Sequence, residues 1–503
     1  MELVQDVLRG LRMAADVYSA QEEVCEAVIP DTLPDAARVA DTITSVTLRD
    51  WLPREGGAEI RAAAHVHVIC AAEEADGAEK EICVDTMLSF THHAELPGVP
   101  AEAELLCEAE LLSADARLLN PRKLFVRVEL GFRIRAFVRE ERAVTVATSG
   151  EEGLMTLTQE TGVRLMTGTG VRNFTVIGEL PLAGADPAQP LCYTVTPEHR
   201  DTVCAYGRLT VRGDAAFRML YRDSGGEVRV FEGSVPFEQV MEMPSVTEDT
   251  VCETVLTLKN AEMDKAQDAE GQDVLAVTVG VCAQNVLYET RTLHVLTDAY
   301  STSQQTALKR ERLAYEEPAV PWTQRTAVTE KIELPDPAAR LVDWRIGPQG
   351  SAETDGSAVT QAMLLQAVYE GEDGQIYGLS RRIPVSFPAP PCRTENLRIR
   401  IEDPGISLSD GLEVRFAAQA EGCAVQERSL EMITGIEPGE EIRTENGLSL
   451  ILRFPADESL WTLAKEYHAP LDAVCRLNGL ETPEDLPADR QIVTKPILIP
   501  VMQ

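Results

Sequence analysis

Aromatic residues make up only 5% of the 503-residue chain, so its cores must be filled by Val, Leu, Ile and Ala rather than by stacked rings. No stretch approaches the roughly 18 apolar residues that a membrane-spanning helix needs. The opening residues, Met1-Glu2-Leu3-Val4-Gln5-Asp6-Val7-Leu8-Arg9, carry acids where a secretory signal has a basic start and an unbroken apolar core. Both absences predict a protein that stays where it is made, in the cytoplasm, without a transmembrane segment. The 11 cysteines are odd in number and scattered from Cys25 to Cys475, with no Cys-x-x-Cys pair. That fits buried, reduced thiols better than a disulfide frame or a zinc site. Basic residues are also scarce, 46 Lys and Arg against 82 Asp and Glu, for a net charge of −36. Such a surface repels nucleic acid and anionic headgroups, and favours basic partners or plain solubility.

Catalytic signatures are missing as well. There is no Gly-x-Ser-x-Gly, no local cysteine-protease signature and no phosphate-cradling Gly-x-x-x-x-Gly-Lys-Ser/Thr. Thr167-Gly168-Thr169-Gly170 is glycine-rich but has no following lysine and reads as a linker turn. Carboxylates are too abundant for one pair to stand out as a glycosidase acid and base. His65, His67, His92 and His93 form the one concentration of histidine, and the first two share a face of one strand. No further ligands stand near them at metal spacing, so the expectation is structural histidines, no metal, no cofactor and no enzyme.

What the chain does have is repetition. Leu33-Pro34-Asp35-Ala36-Ala37-Arg38 returns as Leu180-Pro181 and again as Leu334-Pro335-Asp336-Pro337-Ala338-Ala339-Arg340. The steps are about 150 residues, which is domain spacing rather than the roughly 20–50 residues of a solenoid. Glycine-tipped acidic turns at Asp76-Gly77, Gly225-Gly226 and Asp373-Gly374 keep the step, as do proline breaks at Pro97, Pro244 and Pro388. Around the turns, runs such as Ala62 to Cys70 and Ile82 to Phe90, or Ala215 to Arg222 and Val228 to Phe237, alternate apolar with polar residues as half-buried strands do.

The predicted fold class is mostly β: three β-rich repeats, each a sandwich of two short sheets or a small barrel. The predicted divisions are 1–150, 151–307 and 308–440, with an α+β module over 445–503. In the first, Leu3, Val7, Leu8, Leu11, Ala15 and Tyr18 fall at helical spacing, which predicts a short N-terminal helix. Lys259 to Gly271 reads as a loop or short helix, and Leu308 to Pro321 as a charged connector.

The tail changes period. A strand over Gly447 to Leu452 is followed by Ser459 as an N-cap and by Leu460, Leu463, Ala464 and Tyr467 at helical spacing. Pro470 opens a second helix that stops at Asn478-Gly479, and Pro496 to Pro500 closes as a strand. The module is therefore βααβ. Trp461 lies one position off the apolar stripe, either partly exposed beside the first loop or capping a very small core, and Lys465 shares its face.

At Phe454 to Tyr467, Leu477-Asn478-Gly479-Leu480 and Ile497-Leu498-Ile499-Pro500 the chain resembles a LysM domain. Where that family has Gly-Asp-Thr before its Leu-Trp, this chain has Asp457-Glu458-Ser459, beside the groove in which family members hold N-acetylglucosamine polymers. Three β-rich repeats followed by one LysM resemble the SPOCS-domain spore coat morphogenetic proteins of spore-forming clostridia. That resemblance implies a non-enzymatic scaffold in the mother-cell cytoplasm, at the forespore surface. Its LysM module would grip a coat morphogenetic protein, the basement-layer ATPase, through Asp457, Glu458, Ser459, Trp461 and Lys465 opposite Asn478, Gly479 and Leu480. The second reading is a cell-wall protein that binds peptidoglycan.

Overall fold

The computed structural model describes residues 2–73, 79–149, 153–182, 184–335, 337–409, 411–442, 450–454, 458–480 and 496–500. Alternation of apolar and charged residues shapes its first unit: strands β1 (Glu2–Val28), β2 (Ala36–Arg54), β3 (Gly57–Glu73), β4 (Glu79–Glu95), β5 (Glu104–Asn120) and β6 (Lys123–Ser149). Along β6, Leu124, Val126, Val128, Leu130 and Phe132 are fully buried while Arg127 points to water, as expected of a strand with one dry face. That dry face and its neighbours on β1 and β5 pack against the sheet β2-β3-β4, which supplies Ile60, Val66, Val68 and Phe90.

The second unit repeats the wiring with β7 (Leu154–Pro181), β8 (Gln189–Ala205), β9 (Arg208–Arg222), β10 (Val228–Glu242), β11 (Val251–Gln267) and β12 (Asp273–Ser301). Sheet β8-β9-β10 faces β7-β12-β11, and Phe217, Met219 and Tyr221 meet Val277, Val279 and Val281. In the third unit, β13 (Gln304–Glu316), β14 (Val320–Ile332), β15 (Ala338–Thr354), β16 (Ala358–Gly371), β17 (Ile376–Pro388), β18 (Arg393–Ser409), β19 (Gly411–Val425) and β20 (Glu427–Glu441) place β15-β16-β17 over β14-β19-β18. Each sandwich has the last strand of its inner sheet in the middle. None of the described sheets closes into a barrel, which removes that option.

Leu180 lies at the end of β7, and Leu33 and Leu334 lie just past the ends of β1 and β14, each packed on its local core. The turns at Gly226 and Gly374 join the second and third outer strands, with φ of 87° and 77°, a left-handed backbone that glycine adopts without strain. The matching turn at Asp76-Gly77 lies outside the described residues.

The long strands explain how the units hold together. β1, β6, β7 and β12 run 27–29 residues, several times the usual strand length. One half of each serves its own sandwich, and the other half reaches into a core shared by all units. Leu8, Val144, Val163, Leu293, Val295, Leu313, Leu430 and Met432 make that shared core. In the third unit the same path is broken into β13/β14 and β19/β20. Pro318 interrupts the first pair, having no N–H for a ladder, and Gln426 the second.

Three sequence expectations are corrected here. Residues 3–28 are not a helix: β1 pairs with β6 from Glu2↔Ser149 to Val28↔Lys123. Register shifts at Val4/Gln5 and Met13/Ala15 reset the two-residue alternation, and the resulting spacing mimics a helical stripe. Lys259 to Gln267 continues β11, with only Asp268 to Gly271 as the turn. The charged connector from Leu308 is largely β13, whose partner β20 lies far along the chain. Among the described residues no helix is long and apolar enough to cross a membrane.

Units two and three also meet at His199, whose Nδ1 is 2.7 Å from Arg398 Nη1 while Arg398 Nη2 donates to the Thr254 carbonyl at 2.7 Å. Burial, and then the Arg398 charge, pull the His199 pKa down to about 4. A depressed histidine is neutral in the folded chain while its unfolded counterpart takes up a proton below about 6.5. Stability contributed by this contact is therefore present above that pH and lost as pH falls towards about 4. His199→Gln should flatten the pH dependence of Tm in that window, measured by calorimetry.

Candidate interaction site

The terminal module consists of β21 (Leu450–Arg453), α1 (Leu460–Glu466), α2 (Leu471–Asn478) and β22 (Ile497–Pro500), with β21 and β22 antiparallel. The predicted strand start at Gly447 lies outside the described residues. Ser459 caps α1, its hydroxyl accepting from the Thr462 amide at 3.1 Å. Gly479 ends α2 in the left-handed region. Leu460, Leu463 and Ala464 pack against Val474, Cys475, Ile497 and Ile499.

This small core is completed from outside the module. Tyr300 of β12 belongs to it, and Met155 and Leu157 of β7 pack on it. Trp461 is 4% exposed, its ring set edge-on to Tyr300 at 5.0 Å, so of its two readings the core-capping one holds. The indole Nε1 donates to Asp298 Oδ2 at 2.8 Å, and Lys465 Nζ donates to both oxygens of the same carboxylate at 2.6 and 2.7 Å. Arg310 of β13 adds a third donor at 2.7 Å. Tyr300 Oη donates to the Ala469 carbonyl at 2.7 Å, and His468 Nδ1 lies 2.9 Å from the Ser301 carbonyl. Burial raises the Asp298 carboxyl, but the Lys465 and Trp461 hydrogen bonds outweigh it and hold the group below its ordinary range.

The residues predicted to bind a partner are thus divided. Trp461 and Lys465 face Asp298 inside the chain. Asn478 is a clamp: its amide donates to the Val474 and Leu498 carbonyls at 2.8 and 2.6 Å, and its oxygen accepts from the Leu498 amide at 2.7 Å. Glu458 accepts from Arg453 at 3.2 Å. Gly479 and Leu480 are exposed, Leu480 at 40%. Asp457 lies outside the described residues.

Other sequence features settle differently. Thr167 to Gly170 is not a linker turn but the middle of β7, paired to β12. His92 stacks on Phe132 at 4.5 Å and bonds Ser19 and Gln21, a satisfied core histidine. His67 is opposite Asp85 on β4, with Nδ1 2.6 Å from Oδ1, and Cys83 Sγ is 3.4 Å from the same oxygen. The absence of ligands near His67 in sequence is therefore overturned in space, because its neighbours arrive across the hairpin. A cavity of about 350 Å³ sits at the seam of the units. Its arginines are all ion-paired, Arg12 and Arg142 with Glu140, and Arg164 and Arg393 with Glu316 and Glu395, so it reads as a fastening.

Residues 191–266 match the family model described as SipL, SPOCS domain. The matched stretch is sheet β8-β9-β10 with β11, the unit whose Leu-Pro opening is the shortest of the three. Residues 191–266 are therefore similar to a SPOCS domain. No curated protein and no solved structure matches it.

Proposed function

We propose that the chain is a non-enzymatic assembly scaffold of sporulation, built from SPOCS-type units over 1–150, 151–307 and 308–440 and ending in a LysM-type module over 445–503. The observation that carries this reading is the SPOCS match over 191–266, together with a βααβ module packed on β7 and β12. In this reading the scaffold works in the mother-cell cytoplasm at the forespore surface. The module docks the basement-layer coat ATPase there.

The geometry narrows which residues would meet the partner. Trp461 and Lys465 are engaged with Asp298, so the proposed contact falls to Glu458, Ser459, Gly479 and Leu480, with Asp457 assigned to it from sequence alone. A sugar groove wants apolar walls edged by backbone donors, whereas this edge carries two carboxylates in sequence. The glycan reading is therefore second.

Leu480→Arg tests the assignment. Leu480 is exposed and its part in capping α2 is made by its backbone N–H, so a side-chain substitution should change stability by only about 0.5 kcal/mol while placing a charge in the proposed contact. The expected outcome is an unchanged Tm and about tenfold weaker binding of the purified ATPase to the full-length chain. Unaltered binding would remove Leu480 from the surface.

A further inference from the structure

We propose that His67, Cys83 and Asp85 form a binding site for one borderline divalent metal ion, with zinc the best fit. The three side chains project from the same face of the β3/β4 hairpin, His67 directly opposite Asp85 and Cys83 two residues before it. One candidate ligand atom from each lies within 4.8 Å of the other two. Zinc binds imidazole nitrogen, thiolate sulfur and carboxylate oxygen at about 2.0–2.3 Å, which places tetrahedral ligands roughly 3.3–3.7 Å from one another. The Cys83–Asp85 separation of 3.4 Å already fits. The His67–Asp85 separation of 2.6 Å is that of a shared proton, and an ion that displaces the proton needs the pair to open by less than an ångström.

The scaffold is suited to hold such a set. The β3/β4 register runs from Gly57↔Glu95 to Glu73↔Glu79 without a shift, whereas β2/β3 has three. Tyr193 of the second unit packs its ring 5.9 Å from that of His67. Cys83 itself packs on the cluster of Ile69, Cys192 and Val368, where the three outer sheets converge. Asp85 keeps 72% of its side-chain surface in water while His67 keeps 12%. The site therefore has a closed side against the second unit and an open side, where water would complete the coordination. Mixed nitrogen, sulfur and oxygen ligands favour zinc or cobalt over magnesium or calcium, which prefer oxygen alone.

The experiment uses the full-length chain, reduced and stripped with chelator, and Co²⁺ as the probe. One equivalent should give the visible absorption of tetrahedral cobalt with a thiolate-to-cobalt charge-transfer band, both abolished by one equivalent of Zn²⁺. Cys83→Ser should lose the charge-transfer band, and Cys83→Ser, His67→Gln and Asp85→Asn should each weaken binding about tenfold or more. Cys423→Ser should leave the spectrum unchanged. Asp85→Asn, on the open side, carries the test if a half-buried variant fails to fold. Failure to bind cobalt, or equal binding by all folded variants, would overturn the proposal.

Discussion

Asp298→Ala is expected to release the terminal module from β7 and β12, on which it packs. The substitution removes one carboxylate that accepts from Trp461, Lys465 and Arg310, leaving an indole N–H and an ammonium without their acceptor in a largely buried seam. Removing one partner of a charged, partly buried network costs about 2–4 kcal/mol, enough to dominate the docking of so small a module. The readouts are a red shift of tryptophan fluorescence as Trp461 meets water, and new proteolytic cleavage between 442 and 458. Lys465→Glu should do the same, because it sets a second carboxylate against Asp298. Asp298→Asn should be milder, since its amide oxygen still accepts from the indole. The pH dependence has a definite sign: the folded carboxyl is depressed, so docking is fully present above the ordinary aspartate value of about 3.9 and is lost as pH falls through the lower folded value. Undocking already complete at neutral pH would contradict the arrangement.

The second large effect belongs to the shared core. Leu293 is 2% exposed and belongs to one cluster with Leu8, Val144, Val163, Leu313 and Met432, a core to which every unit contributes. Leu293→Ala should cost roughly 2–5 kcal/mol through lost burial and the cavity left behind. Ile177→Ala, at a site 75% exposed, should change stability by only about 0.5 kcal/mol. Because the core is common property, calorimetry should show the units losing stability together after Leu293→Ala. Three separate transitions, only one of them shifted, would mean that the units stand alone.

Local signals in the sequence specify part of this fold, and contacts between distant segments specify the rest. The dry face of β6, the hairpins over Gly226 and Gly374, and the caps at Ser459 and Gly479 are local signals, each carried by a few adjacent residues, and each appears in the structure. β1 carries a helix-like spacing because its bulges hide the two-residue period. β13 has no local strand signal because its partner β20 lies more than a hundred residues on. Trp461 shows the same limit at the candidate site. Its place on α1 was legible, but its acceptor, Asp298, stands 163 residues upstream on a strand that sequence patterning did not connect to the tail. The approach of Cys83 and Asp85 to His67 is hidden for a related reason, since cross-strand neighbours have no fixed spacing along a chain. Tyr300 completing the module's core has a practical consequence: the isolated tail lacks part of its own packing, and binding has to be measured on the whole chain.

The most direct test of the scaffold reading is therefore made with full-length protein, wild type and Leu480→Arg, in two parallel assays: calorimetric titration with the purified basement-layer coat ATPase and co-sedimentation with purified peptidoglycan. Saturable binding of the ATPase by wild type, weakened about tenfold in Leu480→Arg at unchanged Tm, with no sedimentation on peptidoglycan, is the predicted result. Tight sedimentation with peptidoglycan and no titration signal from the ATPase would contradict it.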